Sequence, residues 1–331
     1  MKAIVCEGVV PTRARSNDVS MLHRLLYFAI EGRHIVLFES ASELEDWLNT
    51  LDTPTSQAYR QAVNISSRLS TTLTQDTATV RIAEIEQEHW ETPTSTLTIA
   101  NAINLLAEPL GIVLENAKND WNFLIGIMRK SERDIVQKAF ERRWLEAVHG
   151  GGSDIKQLLA DRKTNPSTRL RTFSMFDSDR RHPDELAPNW EPINQEACQG
   201  YINEISAQSA AIGGYWRLTR RFIESYIPRH ELEKVNGVPQ GAIDAYFRLT
   251  RHGRWYFNMK KGFKGDEPAE NAHRAKNLYS AVSQEDRAVL KNGFGRKLAD
   301  RYQLSGTEEF AWDSDALHEA TTELPKLMRL L

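Results

Sequence analysis

The segment FSMFDSDRRHPDE (residues 173–185) changes character in one step. An unbroken apolar run ends in Asp177-Ser178-Asp179, and Pro183, Asp184 and Glu185 follow shortly after. A continuous rather than alternating apolar run marks a strand buried on both faces, the kind found in parallel sheets. The acidic pair at its end is then either a corner placed to hold a metal ion or a solvated turn. Composition does not choose between them, because the same tripeptide recurs as Asp313-Ser314-Asp315 in FAWDSDALHEA. The second copy follows no strand-like run and leads into ALHEATTEL, so Asp313 or Asp315 is expected to be a helix N-cap.

Working outward from 173–185, strands and helices alternate. GIVLEN (111–116), WLEAVH (144–149), LRTFSMF (170–176) and YWRLT (215–219) have the pattern of strands, with helical segments between them. IANAINLLA (99–107) precedes them as a helix, and the chain after residue 230 is expected to be mainly helical. Upstream, KAIVC (2–6), HIVLF (34–38) and VRIAEI (80–85) are expected strands, separated by helices at 20–30, 42–51 and 56–69. EQEHWETPTST (86–96) breaks both periodicities and is expected to be a connector. The fold class is therefore α/β, a parallel sheet flanked by helices. Three regions are expected: an N-terminal α/β domain (1–98), a core (99–230) and a mainly helical C-terminal region (231–331). No internal repeat is visible.

The bulk numbers exclude several classes. The 331 residues are 40% hydrophobic and 26% charged, ordinary for a soluble globular protein. No apolar run approaches the ~20 residues needed to cross a bilayer. MKAIVCEGVVPTRAR is too short in apolar stretch for a secretion signal. Cys6 and Cys198 form no zinc-type spacing, which fits two reduced thiols in a cytoplasmic protein. A net charge of −3 makes no global attractor for nucleic acid. Basic residues nonetheless crowd WRLTRR (216–221) and RLTRHGRWYFNMKKGFK (248–264), the latter interleaved with Trp255, Tyr256 and Phe257. Such a stretch either meets phosphates and stacks on bases or is a solvated helix face with core aromatics.

Functional groups of parallel α/β sheets collect at the carboxyl edge of the strands. Glu115 ends one strand there, and Asp177 and Asp179 end another. Side chains two apart on an extended segment point the same way, so Asp177 and Asp179 are expected to reach one ion, with Glu115 joining from an adjacent strand. Clustered carboxylates repel, and a hard divalent cation relieves that repulsion. HGGGSD (149–154), with Gly151 and Gly152, either lets backbone N–H groups approach a phosphate or makes a tight strand-to-helix turn, and its spacing favours the turn. It has neither the Walker ending nor the Rossmann glycine spacing. There is no Gly-x-Ser-x-Gly elbow.

Taken in order, these segments resemble a Toprim domain, the metal-binding module of topoisomerases, bacterial primases and OLD-type nucleases. That family places a glutamate after its first strand and Asp-x-Asp after its third, matched by Glu115 in GIVLENAKND and by Asp177 and Asp179 in FSMFDSD. YWRLTRRFIESYIP (215–228) is similar to the Leu-x-Arg-Arg-Glu-Ile-Glu-Asn-Tyr-Leu segment of OLD-like and DUF4435-type Toprim proteins at Leu218, Arg220, Arg221, Glu224 and Tyr226. YFNMKKGFKGD resembles their lysine-bearing segment. The resemblance spans roughly 100–300, with two departures: Asn116 stands where the family has Gly, and Asp120 is displaced by one.

The resemblance implies an Mg²⁺- or Mn²⁺-dependent nuclease acting on DNA or RNA, as a bacterial anti-phage effector. Glu115, Asp177, Asp179 and Glu224 would hold metal, and Lys260 and Lys261 would serve the scissile phosphate. Arg220, Arg221 and Lys264 would bind substrate, with Gly151 and Gly152 beside it. The chain has no Walker motif, so the ATPase that OLD-type proteins carry would be a separate subunit. A non-catalytic scaffold and a metal-dependent phosphatase or phosphotransferase remain as alternatives.

Overall fold

The computed structural model describes residues 1–10, 16–151, 154–267, 273–295, 297–306 and 310–331. It is α/β, as the alternation of segments predicts, with two four-stranded parallel sheets flanked by helices. The first sheet contains β1 (Lys2–Val5), β2 (Ile35–Phe38), β3 (Thr79–Ile82) and β4 (Thr94–Leu97) in the order β2-β1-β3-β4. The second contains β5 (Leu110–Leu114), β6 (Leu145–His149), β7 (Thr172–Phe176) and β8 (Gly214–Arg217) in the order β6-β5-β7-β8. Counted within each sheet, the order is the same: second, first, third, fourth. The topology repeats although the sequence does not.

Among the described residues, nine helices connect and cover these strands: α1 (Ser16–Ile30), α2 (Ala41–Leu48), α3 (Thr53–Ser70), α4 (Ile99–Ala107), α5 (Asn119–Ile127), α6 (Lys130–Glu141), α7 (Ile155–Lys163), α8 (Pro166–Leu170) and α9 (Gln199–Ala210). Local chemistry sets their starts. Ser40 accepts from the Glu43 N–H to cap α2, and Asp52 accepts from Thr55 to cap α3, which carries Pro54 in its first turn. The last long helix, Ser314–Met328, is capped by Asp313, which accepts from the Ala316 N–H at 2.8 Å. The second Asp-Ser-Asp is thus a helix start, as its context predicts. Among the described residues, short helical segments recur from Arg229 to Leu304 with no strand between them, in keeping with the expected helical C-terminal region.

One expectation fails. The stretch 86–96 is not wholly connector, because Thr94–Leu97 forms β4. Its sequence, TSTL, holds one apolar residue; it pairs with β3 at the sheet edge and makes one further bridge, between Thr96 and His89. Threonine suits strands through β-branching rather than hydrophobicity, so an apolar pattern does not find it.

Both β5 and β7 are buried at all five positions. One apolar cluster runs through both sheets, from Met1 to Leu330. A smaller one covers the other face of the second sheet, where Val113 and Phe176 meet Ile155 and Leu159 of α7 and Ala207 and Ala210 of α9. This double coverage is what the continuous apolar runs require. Among the described residues, no helix is long and apolar enough to cross a membrane.

Candidate active site

Strand order reverses between β5 and β7, which are direct neighbours although β6 lies between them in sequence. A crevice opens at the carboxyl ends of such strands because the connections depart in opposite directions. Glu115 follows the last residue of β5, and Asp177 follows the last residue of β7, so both acids stand at this point. The cleft they enter has a volume of about 440 Å³ and is lined also by Asp120, Glu224, Lys260 and Lys261.

Each acid is held by a different element. Glu115 accepts from the Asn203 side chain of α9 at 3.3 Å. Asp177, 9% exposed, accepts from the Ile223 N–H at 2.9 Å. Asp120, in the first turn of α5, accepts from the Asn116 N–H at 2.8 Å. Glu224 is 2% exposed; one oxygen lies 3.1 Å from the Lys260 ammonium, and the other is buried without a hydrogen-bond partner.

Burial and mutual repulsion dominate the electrostatics. Desolvation, then the charges of Asp177 and Asp179, push the Glu115 carboxyl well above its ordinary range. Asp177 is likewise pushed far up by burial, with Lys260 opposing and Glu224 adding to the rise. Burial raises Asp120 to about 6 against the pull of the Asn116 N–H. Lys260 is the counterweight. Burial disfavours its charge, but Asp177 and Glu224 more than offset this and hold the ammonium above its usual range.

The Asp-Ser-Asp corner splits its two acids. Asp177 enters the cleft, whereas Asp179 adopts φ 53° and accepts from the Gly200 N–H at 2.9 Å, in the first turn of α9. The expected shared direction fails because the strand ends at Phe176 and the left-handed residue breaks the alternation. Asp179 therefore does not line the cleft and acts on Glu115 only through its field. The close crossing of this corner over α9 needs a glycine: a Cβ on Gly200 would sit 2.2 Å from the Ser178 carbonyl oxygen.

The segment 218–226 is mainly framework. Arg220 is buried, donates to the Ser225 carbonyl at 2.9 Å and pairs with Asp313 at 2.6 Å. Arg221 is buried and pairs with Asp266 through two nitrogens at 2.7 and 2.8 Å. Neither guanidinium reaches a surface where substrate would lie, which corrects their expected role in phosphate binding. Tyr226 donates to Glu319 at 2.8 Å, and Glu319 also accepts from the Trp216 indole and the Thr219 N–H. Tyr302 donates to the Ile223 carbonyl. Together these bonds present Glu224 to the cleft.

The lysines divide in the same way. Lys260 and Lys261 line the cleft; Lys264 is exposed and is not part of its lining. Tyr256 and Phe257 are core residues, and Arg248 and Arg251 pair with Asp286 and Asp315, so 248–264 is no continuous stacking platform. The glycine turn is a tight turn: a Cβ on Gly150 would meet Ile155 at 2.5 Å, and Gly151 takes φ 46°. Gly152 lies outside the described residues.

Sequence reasoning passed over Asp120 as a displaced residue and did not find Asn203 or Gly200. Asp120 was visible as an acid one position late; nothing local distinguishes the other two. The donors suit a hard divalent ion, being carboxylates with one buried oxygen on Glu224 left unpartnered. Among the described residues, however, no three His, Cys, Asp or Glu side chains are gathered closely enough to hold one ion as they stand. Comparison with known proteins adds no assignment: no family model, curated protein or solved structure matches the chain.

Proposed function

We propose that the cleft is the catalytic centre of an Mg²⁺- or Mn²⁺-dependent nuclease that hydrolyses phosphodiester bonds of DNA or RNA. The observation that carries the reading is the convergence of Glu115, Asp120, Asp177 and Glu224 with Lys260 at the strand-order reversal, all in one cleft. Four carboxylates in so little volume are a strain on the fold, and such perturbed groups are characteristic of functional sites. The resemblance to Toprim nucleases supports the same reading. Glu115, Asp177 and Glu224 would hold the ion, with Asp120 beside them. A bound divalent ion would supply an activated water and charge stabilisation at phosphorus.

The chain's own residues have separable tasks in this reading. The Ile223 N–H fixes one oxygen of Asp177 and leaves the other for a ligand. Asn203 orients Glu115. Lys260 keeps the cleft from being wholly anionic, so that a phosphate can approach, and Lys261 extends that positive charge to the exposed rim.

A second reading, a non-catalytic scaffold docking a partner such as an ATPase subunit, is favoured by the Lys260–Glu224 pair and the spread of the acids. One experiment separates them: Mg²⁺ titration followed by melting temperature, beside cleavage of single- and double-stranded DNA and RNA. At 100 times its dissociation constant the ion should add about 2.7 kcal/mol to stability. This gain and cleavage should both vanish in Asp177→Asn. Absence of both effects in the wild type would leave the scaffold. Hydrolysis of a small phosphate ester, with no cut in any polymer, would instead make the site a phosphatase.

A further inference from the structure

A second cavity is lined by elements of both sheets' layers: His34, Ile65 and Leu69 from the first, Ile135, Trp144 and Arg171 from the second. Its volume is about 480 Å³, within the range of small-molecule sites, and its surface is predominantly apolar. Ile65 and Leu69 of α3 and Ile135 of α6 line it while remaining 46%, 49% and 51% exposed, so they form its mouth. Three large aliphatic side chains half in water around one opening are the pattern of a surface awaiting an apolar occupant.

The charged side chains of its lining are one-sided, and the Met1 amino group with the Leu331 main-chain oxygen it donates to also lines it. Arg33, Lys138, Arg171 and Arg329 contribute to the walls, and no Asp or Glu does so among the described residues. Arg171 is 1% exposed, and its Nε and Nη1 donate to the backbone oxygens of Glu108 and Leu330. Its Nη2 donates to none of the described residues. The Arg33 Nε is also buried without a partner. Arg171 is buried and Arg33 half-buried, with Arg33 Nη2 donating to the Ala107 and Glu108 carbonyl oxygens; burial together with Arg33 lowers the Arg171 pKa to about 9 against the opposing charge of Glu108.

We infer that this cavity binds a small anionic amphiphile: one carboxylate meeting Arg171 and Arg33 in the interior, and an aliphatic body passing out between Ile65, Leu69 and Ile135. The inference is independent of the nuclease reading, since no residue of one site lines the other. A charge-assisted, bidentate contact would satisfy the guanidinium group, and the apolar body would cover the exposed mouth.

The test is isothermal titration of the full-length protein with decanoate, below its micellar concentration, with 1-decanol as the neutral control. Decanoate should bind at least about tenfold more tightly than decanol, a difference of about 1.4 kcal/mol. Ile135→Glu, at a position 51% exposed, should weaken decanoate about tenfold or more by placing like charge at the mouth. Arg171→Met should abolish the preference for decanoate over decanol. Should that variant not fold, Ile135→Glu and Leu69→Glu still decide the matter. No decanoate binding, equal affinity for decanol, or full affinity in both mouth variants would each overturn the inference. So would binding only to vesicles of anionic phospholipid, which would make the patch a membrane-facing surface.

Discussion

Asp120→Asn should stabilise the protein at pH 8 and leave it unchanged at pH 3.5. The Asp120 carboxyl, 6% exposed, is raised from 3.8 to about 6, first by burial and opposed by the Asn116 N–H. Its folded pKa exceeds its unfolded value, so the folded chain binds more protons between these two values, and stability falls as pH rises through that window. The gap, at about 1.4 kcal/mol per decade, is roughly 3 kcal/mol. Asparagine keeps an acceptor for the Asn116 N–H, so the variant removes the buried charge without removing the bond. With an unfolding entropy of about 2.1 cal/mol/K per residue, a 331-residue chain should melt about 4 °C higher at pH 8. The assay is thermal melting by circular dichroism at pH 3.5, 5 and 8. The gain should grow between the first and last of these. An Asp120→Asn melting point equal to wild type at pH 8, or a gain of the same size at pH 3.5, would refute the placement of a charged Asp120 among the other acids. The variant should also respond less to Mg²⁺ if the cleft takes the ion.

Gly200→Ala should lower stability by about 2 kcal/mol or more, because its Cβ would lie 2.2 Å from the Ser178 carbonyl oxygen. Gly241→Ala, whose Cβ meets nothing within 4 Å, is the control and should gain up to about 1 kcal/mol in urea denaturation. Tyr226→Phe should cost about 1–3 kcal/mol in the same assay, since it takes a donor from the half-buried Glu319. Asp313→Ala should cost about 2 kcal/mol or more, combining a lost helix cap with a stranded Arg220. Its Mg²⁺ response, measured by thermal shift, should survive.

The second sheet was legible because LGIVL and TFSMF are continuous apolar runs that only a doubly covered parallel strand explains. The position of Glu115 and Asp177 at its edge followed from the same logic. β4 escaped because three of its four residues are small and polar. Asp179 was misdirected because one left-handed residue, invisible in sequence, ended the alternation. Arg220 and Arg221 look like a phosphate clamp in the string of letters. Their partners, Asp313 and Asp266, lie 93 and 45 positions away, and no local pattern reports a pairing at that range. Lys260 and Lys261 line the cleft, while Lys264 lies outside its lining, in the helical turn Phe263–Asp266.

The fastening of Glu224 by Tyr302, Asp313 and Glu319 has a consequence for how the chain matures. Ribosomes deliver residues in order, and both sheets are complete once Arg217 has emerged. The segment that carries Glu224 then has neither its tyrosine bolt nor its arginine tether. Roughly a hundred further residues must be made before that acid is drawn into place beside Asp177. A nascent chain therefore holds both sheets before the partners of the segment carrying Glu224 have been made. In a chain with the nuclease activity proposed above, this order of synthesis would keep Glu224 from its final partners until both sheets stand.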